Sequence, residues 1–351
     1  MRIALLVPGP ISAISGGYGY DRRIVAELRA AGHTVDVHEL AGRHPLPDDV
    51  ARNAARAAWA ALAPDAQPLI DGLGLPAFDG IIDDPRGRHP IGLIHHPTSL
   101  EAGSSEPDRA ALVAIERRMF PALAGCIVTS DTTAETLTRD FAVSAGRIAV
   151  VVPGTDPAPR SPGSNSNSPG GPTCHILSVG TLIPRKGHEL LLRALARLFD
   201  LDWHLTIAGG APDKVYAVTL ANLADELKIS QRVRFAGATT GDALEALWQQ
   251  ADIFALATEY EGYGMAIAEA LKRGVPVCIT TGGAAGALVP MEAGVVCEVG
   301  DLVTYSKAIR RMIFDTELRA EMADAAWQAG QALPEWPAQG RAFAEALARL
   351  A

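Results

Sequence analysis

Short apolar runs alternate with amphipathic stretches over the first 158 residues of the chain. Apolar runs without helical spacing predict strands, and apolar positions three and four residues apart predict helices. The predicted strands are residues 3–7, 34–40, 68–71, 91–95, 126–129 and 148–152, and the predicted helices are residues 20–31, 50–62, 110–123 and 132–141. Because strands alternate with helices, we expect a parallel sheet that is covered by helices on both faces.

This alternation stops at a low-complexity segment and then starts again. Residues 159–172 are rich in Pro, Gly, Ser and Asn, which is typical of a flexible connector. A second strand–helix series runs from residue 174 to residue 329, and a last helix is predicted at 337–350. We therefore predict an α/β fold of two Rossmann-like, doubly wound parallel-sheet domains. The first domain comprises residues 1–158 and 334–351, and the second comprises residues 173–333.

The most informative segment of the chain lies between residues 258 and 272. An apolar run at 251–257 predicts a buried strand, Glu261 and a glycine-rich turn follow it, and Glu269 lies on the next predicted helix. Gly264 allows the backbone to approach a ligand closely, and the N–H groups of a helix N-terminus favour anions and hydroxyl oxygens. The segment is thus a candidate ligand site, and a plain turn with two solvated glutamates remains the alternative.

The two glutamates do not have the spacing of a glycosidase pair. On one helix, eight residues at ~1.5 Å rise would separate them by about 12 Å. Glycosidase carboxylates lie about 5–9.5 Å apart, although the glycine turn shortens the separation. The spacing fits better a ligand with two hydroxyl-bearing groups, each bound by one of the glutamates. A carboxylate suits this task because it accepts strong hydrogen bonds from hydroxyls.

Three further segments carry candidate chemistry at the ends of predicted strands, where open parallel sheets bind ligands. They are Gly16 and Gly17 after the first strand, Arg185 and Lys186 after strand 174–179, and His95 and His96 at the end of strand 91–95. The glycines suit a phosphate at a helix N-terminus, and the basic pair suits a diphosphate. For the glycine segment and for the basic segment, an ordinary surface loop remains the alternative. At most one histidine faces a cleft, and zinc is not expected because no third ligand has a recognisable spacing.

Composition limits the classes of partner. The net charge of −9 argues against a nucleic-acid-binding protein. The apolar run at residues 3–7 is too short for a signal peptide, and no apolar run is long enough to span a membrane. A basic face for membrane docking is also lacking. The four scattered cysteines predict reduced thiols in a cytoplasmic protein. Asp83 and Asp84 precede a proline, so they predict a turn rather than a metal motif.

With these segments in order, the chain resembles the nucleotide-sugar glycosyltransferases of family 4, which have the two-domain GT-B fold with domains facing across a cleft. The most specific part of this resemblance is a motif in which seven residues separate Glu261 from Glu269. Gly-Tyr-Gly lies within those seven residues. The resemblance implies the following donor contacts: Glu261 on sugar hydroxyls, backbone N–H groups of Tyr263, Gly264, Met265 and Ala266 on the sugar and diphosphate, Glu269 on the ribose, and Thr239 in the nucleobase loop. It further implies that Lys186 binds the diphosphate, that His96 lies near the sugar, and that Gly16 and Gly17 close over the phosphates.

The resemblance implies a metal-independent hexose transfer that retains the anomeric configuration. The donor would be a nucleoside-diphosphate sugar such as UDP-glucose or GDP-mannose, with no other cofactor. The catalytic candidates are His96, Lys186 and Glu261. No covalent nucleophile is identifiable, so front-side attack assisted by the leaving phosphate is preferred. We expect a small, soluble, hydroxyl-bearing acceptor, whose contact residues by position alone are Tyr18, Tyr20, Asp71, His95 and Thr98.

The chain departs from the family pattern at Thr181, where an arginine is usual, and Arg185 is the candidate substitute. The loop at 280–287 also lacks a glutamate that is often present. A sugar-nucleotide epimerase, a phosphorylase and a non-catalytic nucleotide-sugar-binding protein therefore remain alternatives. A nicotinamide oxidoreductase is a more distant one, because the glycines at 16–19 lack the dinucleotide spacing.

Overall fold

The computed structural model describes residues 1–82, 87–101, 105–164 and 173–351, and it divides into two compact units. The first unit comprises Met1–Gly154 and Pro334–Ala351, and the second comprises Thr155–Leu333. The first unit thus ends at Gly154 rather than at residue 158. The turn predicted at Asp83 and Asp84 lies outside the described residues.

The elements follow the strand–helix alternation of the sequence. The strands are β1 (Arg2–Pro8), β2 (Thr34–Leu40), β3 (Ala66–Asp71), β4 (Ile91–Ile94), β5 (Gly125–Val128), β6 (Ile148–Val150), β7 (Cys174–Val179), β8 (Trp203–Ala208), β9 (Val233–Gly237), β10 (Ile253–Leu256), β11 (Val277–Thr280) and β12 (Gly294–Cys297). The helices are α1 (Gly16–Ala30), α2 (Asp49–Ala61), α3 (Glu106–Met119), α4 (Asp131–Phe141), α5 (His188–Ala196), α6 (Lys214–Glu226), α7 (Gly241–Trp248), α8 (Met265–Lys272), α9 (Leu302–Phe314), α10 (Thr316–Gln331) and α11 (Trp336–Leu350).

Each unit contains a six-stranded parallel sheet. The first sheet has the order β2-β1-β3-β4-β5-β6, and the second has the order β12-β11-β10-β7-β8-β9. The order therefore reverses between β1 and β3 in the first sheet and between β10 and β7 in the second. Such reversals are the points at which doubly wound sheets bind ligands. The predicted α/β class with two Rossmann-like units is confirmed.

The core strands are buried on both faces, as their apolar runs predict. Every residue of β4, β5, β10 and β11 is buried. Helices cover such strands on both sides, which leaves only the strand ends and their loops for ligand contacts. Among the described residues, none of the helices combines the length and apolarity needed to cross a bilayer.

Polar caps explain where two helices begin. α1 starts at Gly16 rather than residue 20 because the Ser15 hydroxyl accepts a hydrogen bond from Tyr18 N. α3 starts at Glu106 rather than residue 110 because Ser105 caps it in the same way. Apolar spacing alone does not indicate either cap, so it predicts both helix starts too late.

α11 belongs to the first unit, where it packs against α1. The rings of Tyr20 and Trp336 lie 5.9 Å apart, edge to face. Gly340 lets the two helices approach closely, because a Cβ at that position would lie 2.4 Å from the Glu27 Cβ. The last 18 residues, 334–351, thus complete a unit that the first 154 residues begin.

The first part of the predicted connector is tied to the second unit. Ser161 N donates to Arg273 O at 2.8 Å, and Ser164 N donates to the Asp252 carboxylate at 3.0 Å. These hydrogen bonds hold Ser161 and Ser164 in place, although the composition of the connector predicts a flexible segment. Residues 165–172 of the connector lie outside the described part of the chain.

Candidate functional site

In the second unit, Lys186 and Glu261 meet where the strand order reverses. Lys186 ends a turn of 3₁₀ helix in the loop after β7, and Glu261 follows β10, the adjacent strand. The loops on the two sides of such a reversal run to opposite faces of the sheet and leave a crevice between them. Pairing of β7 with β10 therefore brings together two predicted site residues that are far apart in sequence.

The Lys186–Glu261 ion pair is short and largely buried. Lys186 Nζ lies 2.6 Å from Glu261 Oε1, and Arg185 Nη1 lies 3.7 Å from the same oxygen. The side chains of Glu261 and Lys186 are only 10% and 15% exposed. Burial alone would raise the pKa of Glu261, but the charges of Lys186 and Arg185 outweigh it and lower that pKa. The carboxylate therefore stays ionised and can accept hydrogen bonds.

Two glycines hold this pair in place. Gly187 follows Lys186 at φ +65°, and a Cβ there would lie 1.8 Å from the carbonyl oxygen of Ala257. Gly283, in the loop after β11, has φ +66°, and a Cβ there would lie 2.3 Å from the carbonyl oxygen of Glu261. Only glycine fits at either position, so both loops pack directly on the backbone at the carboxyl end of β10.

Three helices of the second unit begin without a side-chain cap, and their N-termini all follow site loops. No side chain among the described residues caps α5, α7 or α8. In contrast, aspartates cap α6, α9 and α10. The N–H groups of an uncapped first turn are ready to bind an anion. The site thus lies where the helix N-termini are left for a ligand.

The predicted sugar and diphosphate residues surround one of these N-termini. Gly264 is the N-cap of α8 at φ +105°, and Met265 and Ala266 form the start of the helix. Tyr263, which precedes them, is 8% exposed. Arg185, whose guanidinium donates to the carbonyl oxygen of Tyr260, lies at the carboxylate of the ion pair. The structure therefore gathers these predicted residues at one strand end.

A cavity of about 380 Å³ lies at the loop predicted to contact a nucleobase. Its lining residues are Arg234, Ala236, Ala238, Thr239, Thr240, Ala243 and Leu247. The Thr239 hydroxyl donates to the carbonyl oxygen of Gly237 at 3.1 Å. The volume falls in the range of about 300–1,000 Å³ that is usual for small-molecule sites.

Glu269 lies in the second turn of α8 and is partly buried. Burial raises its pKa to about 7, Arg273 lowers it, and Asp156 and Glu245 raise it further. The guanidinium of Arg273 also lies 2.6 Å from the carboxylate of Glu245. Glu245 belongs to α7, the helix that lines the cavity. Through Arg273, which also donates to the carbonyl oxygen of Glu269, this residue is connected to the helix that lines the cavity.

In the first unit, His95 lies between two buried carboxylates. Its Nε2 is 3.0 Å from Asp21 Oδ1 and 3.5 Å from Asp71 Oδ2. Asp21 is 1% exposed and Asp71 is 2% exposed. Burial raises the pKa of Asp71 to about 7, with Asp21 adding to the rise. Burial opposes the charge of His95, but the two carboxylates outweigh it and raise the His95 pKa.

The predicted glycines of the first unit lie beside this cluster. Gly16 and Gly17 open α1, and a Cβ at Gly17 would lie 3.4 Å from the His95 ring. Buried carboxylates disfavour an approaching phosphate, so the electrostatics here differ from those at Lys186. The role of these glycines as a phosphate clamp stays a prediction.

His96 has a different environment from His95. Its Nε2 lies 2.7 Å from Glu101 Oε2, and the Glu101 side chain is 32% exposed. Thr98, an acceptor candidate by position, donates to the buried carboxylate of Glu116 through its hydroxyl at 2.7 Å. The structure thus leaves the predicted sugar-proximal role of His96 untested and makes Thr98 part of an internal network.

One comparison with known proteins covers the second unit. Residues 166–329 match the family "Glycosyl transferases group 1". This match spans the ion pair, the uncapped helices and the cavity. The second unit of the chain is thus similar to the group 1 glycosyl transferases over nearly its whole length.

Curated glycosyltransferases align with part of the chain. It is 28% identical to a D-inositol 3-phosphate glycosyltransferase of Corynebacterium diphtheriae over 239 residues, which are 64% of this chain and 56% of that protein. It is 34% identical to the protein of the same description in Mycolicibacterium gilvum over 187 residues, or 51% and 41% of the two chains. The alignments thus span about half the length of these relatives.

Solved structures extend the likeness to the whole fold. Sucrose-phosphate synthase from Thermosynechococcus elongatus superimposes with a TM-score of 0.82 at 20% identity and covers 98% of both chains. The Anabaena HepE structure that contains UDP and glucose has a TM-score of 0.76 at 18% identity and covers 99% of this chain and 100% of its own. These similarities confirm the predicted GT-B fold.

Asp21 is the chemically important residue of the first unit that was overlooked in the prediction. It lies inside α1, 74 residues before His95, so no local motif joins the two. The available signal was a charged residue on the buried face of an amphipathic helix, between Tyr20 and Ile24. One ligand atom from each of Asp21, Asp71 and His95 lies within 4.8 Å of the others, close enough to share a metal ion.

Proposed function

We propose that this chain transfers a hexose from a nucleoside-diphosphate sugar to a hydroxyl group of an acceptor. The observation that carries the proposal is the buried Lys186–Glu261 pair, which lies between the uncapped N-termini of α5 and α8. This arrangement offers a cation and helix N–H groups to phosphates and a carboxylate to sugar hydroxyls. The match of residues 166–329 to the group 1 glycosyl transferases supports the same reaction.

The diphosphate would bind at Lys186. Its ammonium, the guanidinium of Arg185 and the N-termini of α5 and α8 supply positive potential at one strand end. The negative charge that grows on a departing nucleoside diphosphate would be stabilised by these same groups. The proposed transfer therefore needs no metal ion for this step, and Arg185 takes the place of the arginine missing at Thr181.

The sugar would bind at Glu261. Its pKa is lowered, so it is an ionised acceptor at neutral pH. A carboxylate that accepts from a sugar hydroxyl contributes about 1.5–3 kcal/mol for each bond. Tyr263, Gly264, Met265 and Ala266 would contribute backbone N–H groups beside it.

The nucleoside would extend along the strand ends toward the Thr239 cavity. β10, β7, β8 and β9 are consecutive in the sheet, and a spacing of ~4.8 Å places β9 about 14 Å from β10. This distance suits the length of a nucleoside diphosphate. Glu269, near α7, would accept the ribose hydroxyls, as the resemblance to family 4 implies.

A ligand screen tests the proposal. We expect UDP-glucose or GDP-mannose to raise the melting temperature of the protein more than ADP-glucose does, and UDP-glucose comes first because HepE was crystallised with UDP and glucose. Isotope-labelled donor then reports transfer, with inositol 3-phosphate included as an acceptor because the curated relatives are named for it. Retention is read from the anomeric configuration of the product by NMR.

Two matched variants locate the sugar contact. Glu261→Gln should bind UDP but lose the extra affinity for UDP-glucose, because the amide loses the charge that accepts sugar hydroxyls. Glu259→Gln, two residues earlier and exposed, should behave like the wild type. Absence of binding by every nucleotide sugar would refute the proposal. Phosphate-dependent donor cleavage, or donor epimerisation without an acceptor, would refute transfer.

A further inference from the structure

Three side chains of the first unit converge where its strand order reverses. Asp21 lies on α1, which follows β1, while Asp71 ends β3 and His95 follows β4. These three strands are neighbours in the sheet, and the order reverses between β1 and β3. All three residues belong to the first unit, so the cluster that they form is complete within it.

The distances within the cluster match those between ligands of one metal ion. His95 Nε2 lies 3.0 Å from Asp21 Oδ1 and 3.5 Å from Asp71 Oδ2. Imidazole and carboxylate ligands lie about 2.0–2.2 Å from zinc, so two such ligands in a tetrahedral site are about 3.3–3.6 Å apart. A single Nε2–H donates one good hydrogen bond, whereas a metal ion at this place would bind both carboxylates and the imidazole.

One oxygen of Asp21 has no hydrogen-bond partner. The residue is 1% exposed, and its Oδ2 atom is buried and accepts no hydrogen bond within the described ranges. Burial of a carboxylate oxygen without a donor costs free energy. Oδ2 shares a carbon with Oδ1, the atom that faces His95, so a cation bound at the cluster would satisfy both oxygens. This observation supports a cation independently of the distances.

The charge of the cluster also suits a divalent cation. His95 is the ion-pair partner of both carboxylates, and among the described residues no lysine or arginine pairs with either of them. One imidazolium balances only one of two ionised carboxylates. A divalent cation beside a neutral imidazole would balance both, which is how buried carboxylates are usually accommodated.

Contacts outside the cluster orient its members. Leu73 N donates to Asp71 Oδ1 at 2.9 Å, so Oδ2 is the oxygen that faces His95. The His95 carbonyl oxygen accepts from the Thr129 hydroxyl at 3.1 Å, and its ring meets Tyr20 edge to face with centroids 5.4 Å apart. Metal ligands are typically held by such outer contacts. The His95 side chain is 19% exposed, which gives an ion access from solvent.

We propose that Asp21, Asp71 and His95 bind one divalent transition-metal ion, with zinc as the best fit. The ion would bind His95 Nε2 and an oxygen of each carboxylate, with water as the fourth ligand. A nitrogen ligand favours zinc over magnesium and calcium, which prefer oxygen ligands alone. The ion would connect α1 to the ends of β3 and β4 and thereby stabilise the first unit.

This site does not depend on the proposed glycosyl transfer, because none of its ligands comes from the second unit. It also differs from the sequence-based expectation that zinc does not bind. The three ligands lie on separate elements, so they have no recognisable spacing in the sequence, and only the order of the strands brings them together.

Metal titration of the full-length protein tests the proposal. After removal of bound metal with EDTA and dialysis, the wild type should bind one equivalent of zinc by calorimetry and melt at a higher temperature in its presence. The same concentration of magnesium should do neither. Asp21→Asn and Asp71→Asn should each weaken zinc binding at least tenfold. Glu101→Gln, which removes a carboxylate beside the neighbouring His96, is the matched control and should bind zinc like the wild type.

Two spectroscopic measurements on the wild type locate the ion. In ¹⁵N-histidine-labelled protein, zinc should shift the Nε2 signal of His95 and leave the proton on Nδ1, because the metal takes the lone pair of Nε2. His95→Gln assigns that signal. Cobalt(II) in place of zinc should give no sulfur-to-cobalt charge-transfer band, which binding at the buried cysteines would produce. Neither measurement depends on whether the aspartate variants fold.

Three results would overturn the site. They are the absence of zinc binding at one equivalent, equal zinc affinity in the wild type and both aspartate variants, and a sulfur-to-cobalt band. Zinc binding is measured without a nucleotide sugar, so the two proposals fail separately. Failure of every nucleotide sugar to bind would refute the proposed function and leave the cation site, and absence of zinc binding would do the reverse.

Discussion

At the scale of single residues, the proposed donor would have to separate Lys186 from Glu261. In the structure the ammonium neutralises the carboxylate at 2.6 Å. A diphosphate would attract the ammonium and leave the carboxylate for sugar hydroxyls, so each partner already has the charge that its ligand group requires. Once the donor has bound, charges that the protein already holds at the site stabilise a departing anion.

Lys186→Ala should lower turnover of the donor at least tenfold. Losing one preorganised electrostatic contact to a developing charge commonly costs about 3–4 kcal/mol of transition-state stabilisation. Steady-state kinetics measure the loss, and circular dichroism checks that the fold persists. Lys214→Ala, at an exposed position that begins α6, is the control. Turnover close to that of the wild type in Lys186→Ala would contradict the assigned role.

The affinity for UDP-glucose should rise from about pH 6 to about pH 8. The pKa of Glu269 is raised to about 7 by burial, so its carboxylate is mostly protonated at the lower pH and ionised at the higher one. Only the ionised form is a pure acceptor for ribose hydroxyls. Calorimetric titration across this range, with a donor whose diphosphate does not titrate there, measures the change.

Glu269→Gln should remove most of this pH dependence. Because folding raises the pKa of Glu269, ionisation of this group costs stability as the pH rises toward 7. The variant should therefore be at least as stable as the wild type above pH 7, while binding the donor more weakly. A pH dependence of binding that survives in the variant would assign the titration to another group.

The candidate site residues could be predicted from the sequence where they lie within one short segment. Glu261, Gly264 and Glu269 fall within nine residues, and Arg185 and Lys186 are adjacent. Asp21 was not predictable in this way, because its partner His95 is distant in sequence and only the sheet order brings them together. The choice between His95 and His96 likewise depends on which ring faces the carboxylates.

At the scale of elements, the loop that carries Lys186 depends on a backbone position that admits only glycine. Gly187→Ala should both destabilise the protein and weaken UDP-glucose binding, because the carbonyl oxygen of Ala257 would have to move away from the new Cβ. We expect at least tenfold weaker binding, measured by calorimetry, and a lower urea midpoint.

Gly300→Ala separates backbone strain from steric overlap. Gly300 has φ +81°, but nothing lies within 4 Å of a Cβ at that position. Its replacement should cost on the order of 1 kcal/mol from backbone strain alone and should leave donor affinity unchanged. Equal effects of the two substitutions on binding would show that the Gly187–Ala257 contact does not position Lys186.

Element types followed from the apolar pattern, whereas several boundaries did not. β2 and β7 match their predicted ranges because turn residues flank their apolar runs. α1 and α3 begin four residues earlier than predicted, at 16 rather than 20 and at 106 rather than 110, because serine caps extend them across residues that lack apolar spacing. Missing caps on α5, α7 and α8 could be recognised only once their loops were placed in space.

At the scale of the whole molecule, each unit has its own parallel sheet and its own buried core. The fragment Thr155–Leu333 should therefore fold alone and bind UDP within about tenfold of the full chain, since the proposed diphosphate and nucleoside contacts all lie inside it. Urea unfolding and calorimetry test this expectation. The same fragment carrying Lys186→Ala is the control for specific binding. A fragment that does not fold would contradict the expectation that the second unit is independent.

The two-unit organisation was predictable from the restart of the strand–helix alternation after the connector. The boundary at Gly154 was not, because it depends on which unit the intervening residues contact. Ser161 and Ser164, for example, bond to Arg273 and Asp252, which lie about a hundred residues later and leave no local signal.

The membership of α11 in the first unit has a consequence for biosynthesis. A ribosome makes the protein from its N-terminus, so residues 155–333 emerge before residues 334–351 have been added. The second unit can thus fold before α11, the helix that covers Tyr20, has been added to the first unit. A nascent chain stalled near residue 333 would thus contain a complete second unit and a first unit that still lacks α11, which is the stage at which we expect chaperones to be needed most.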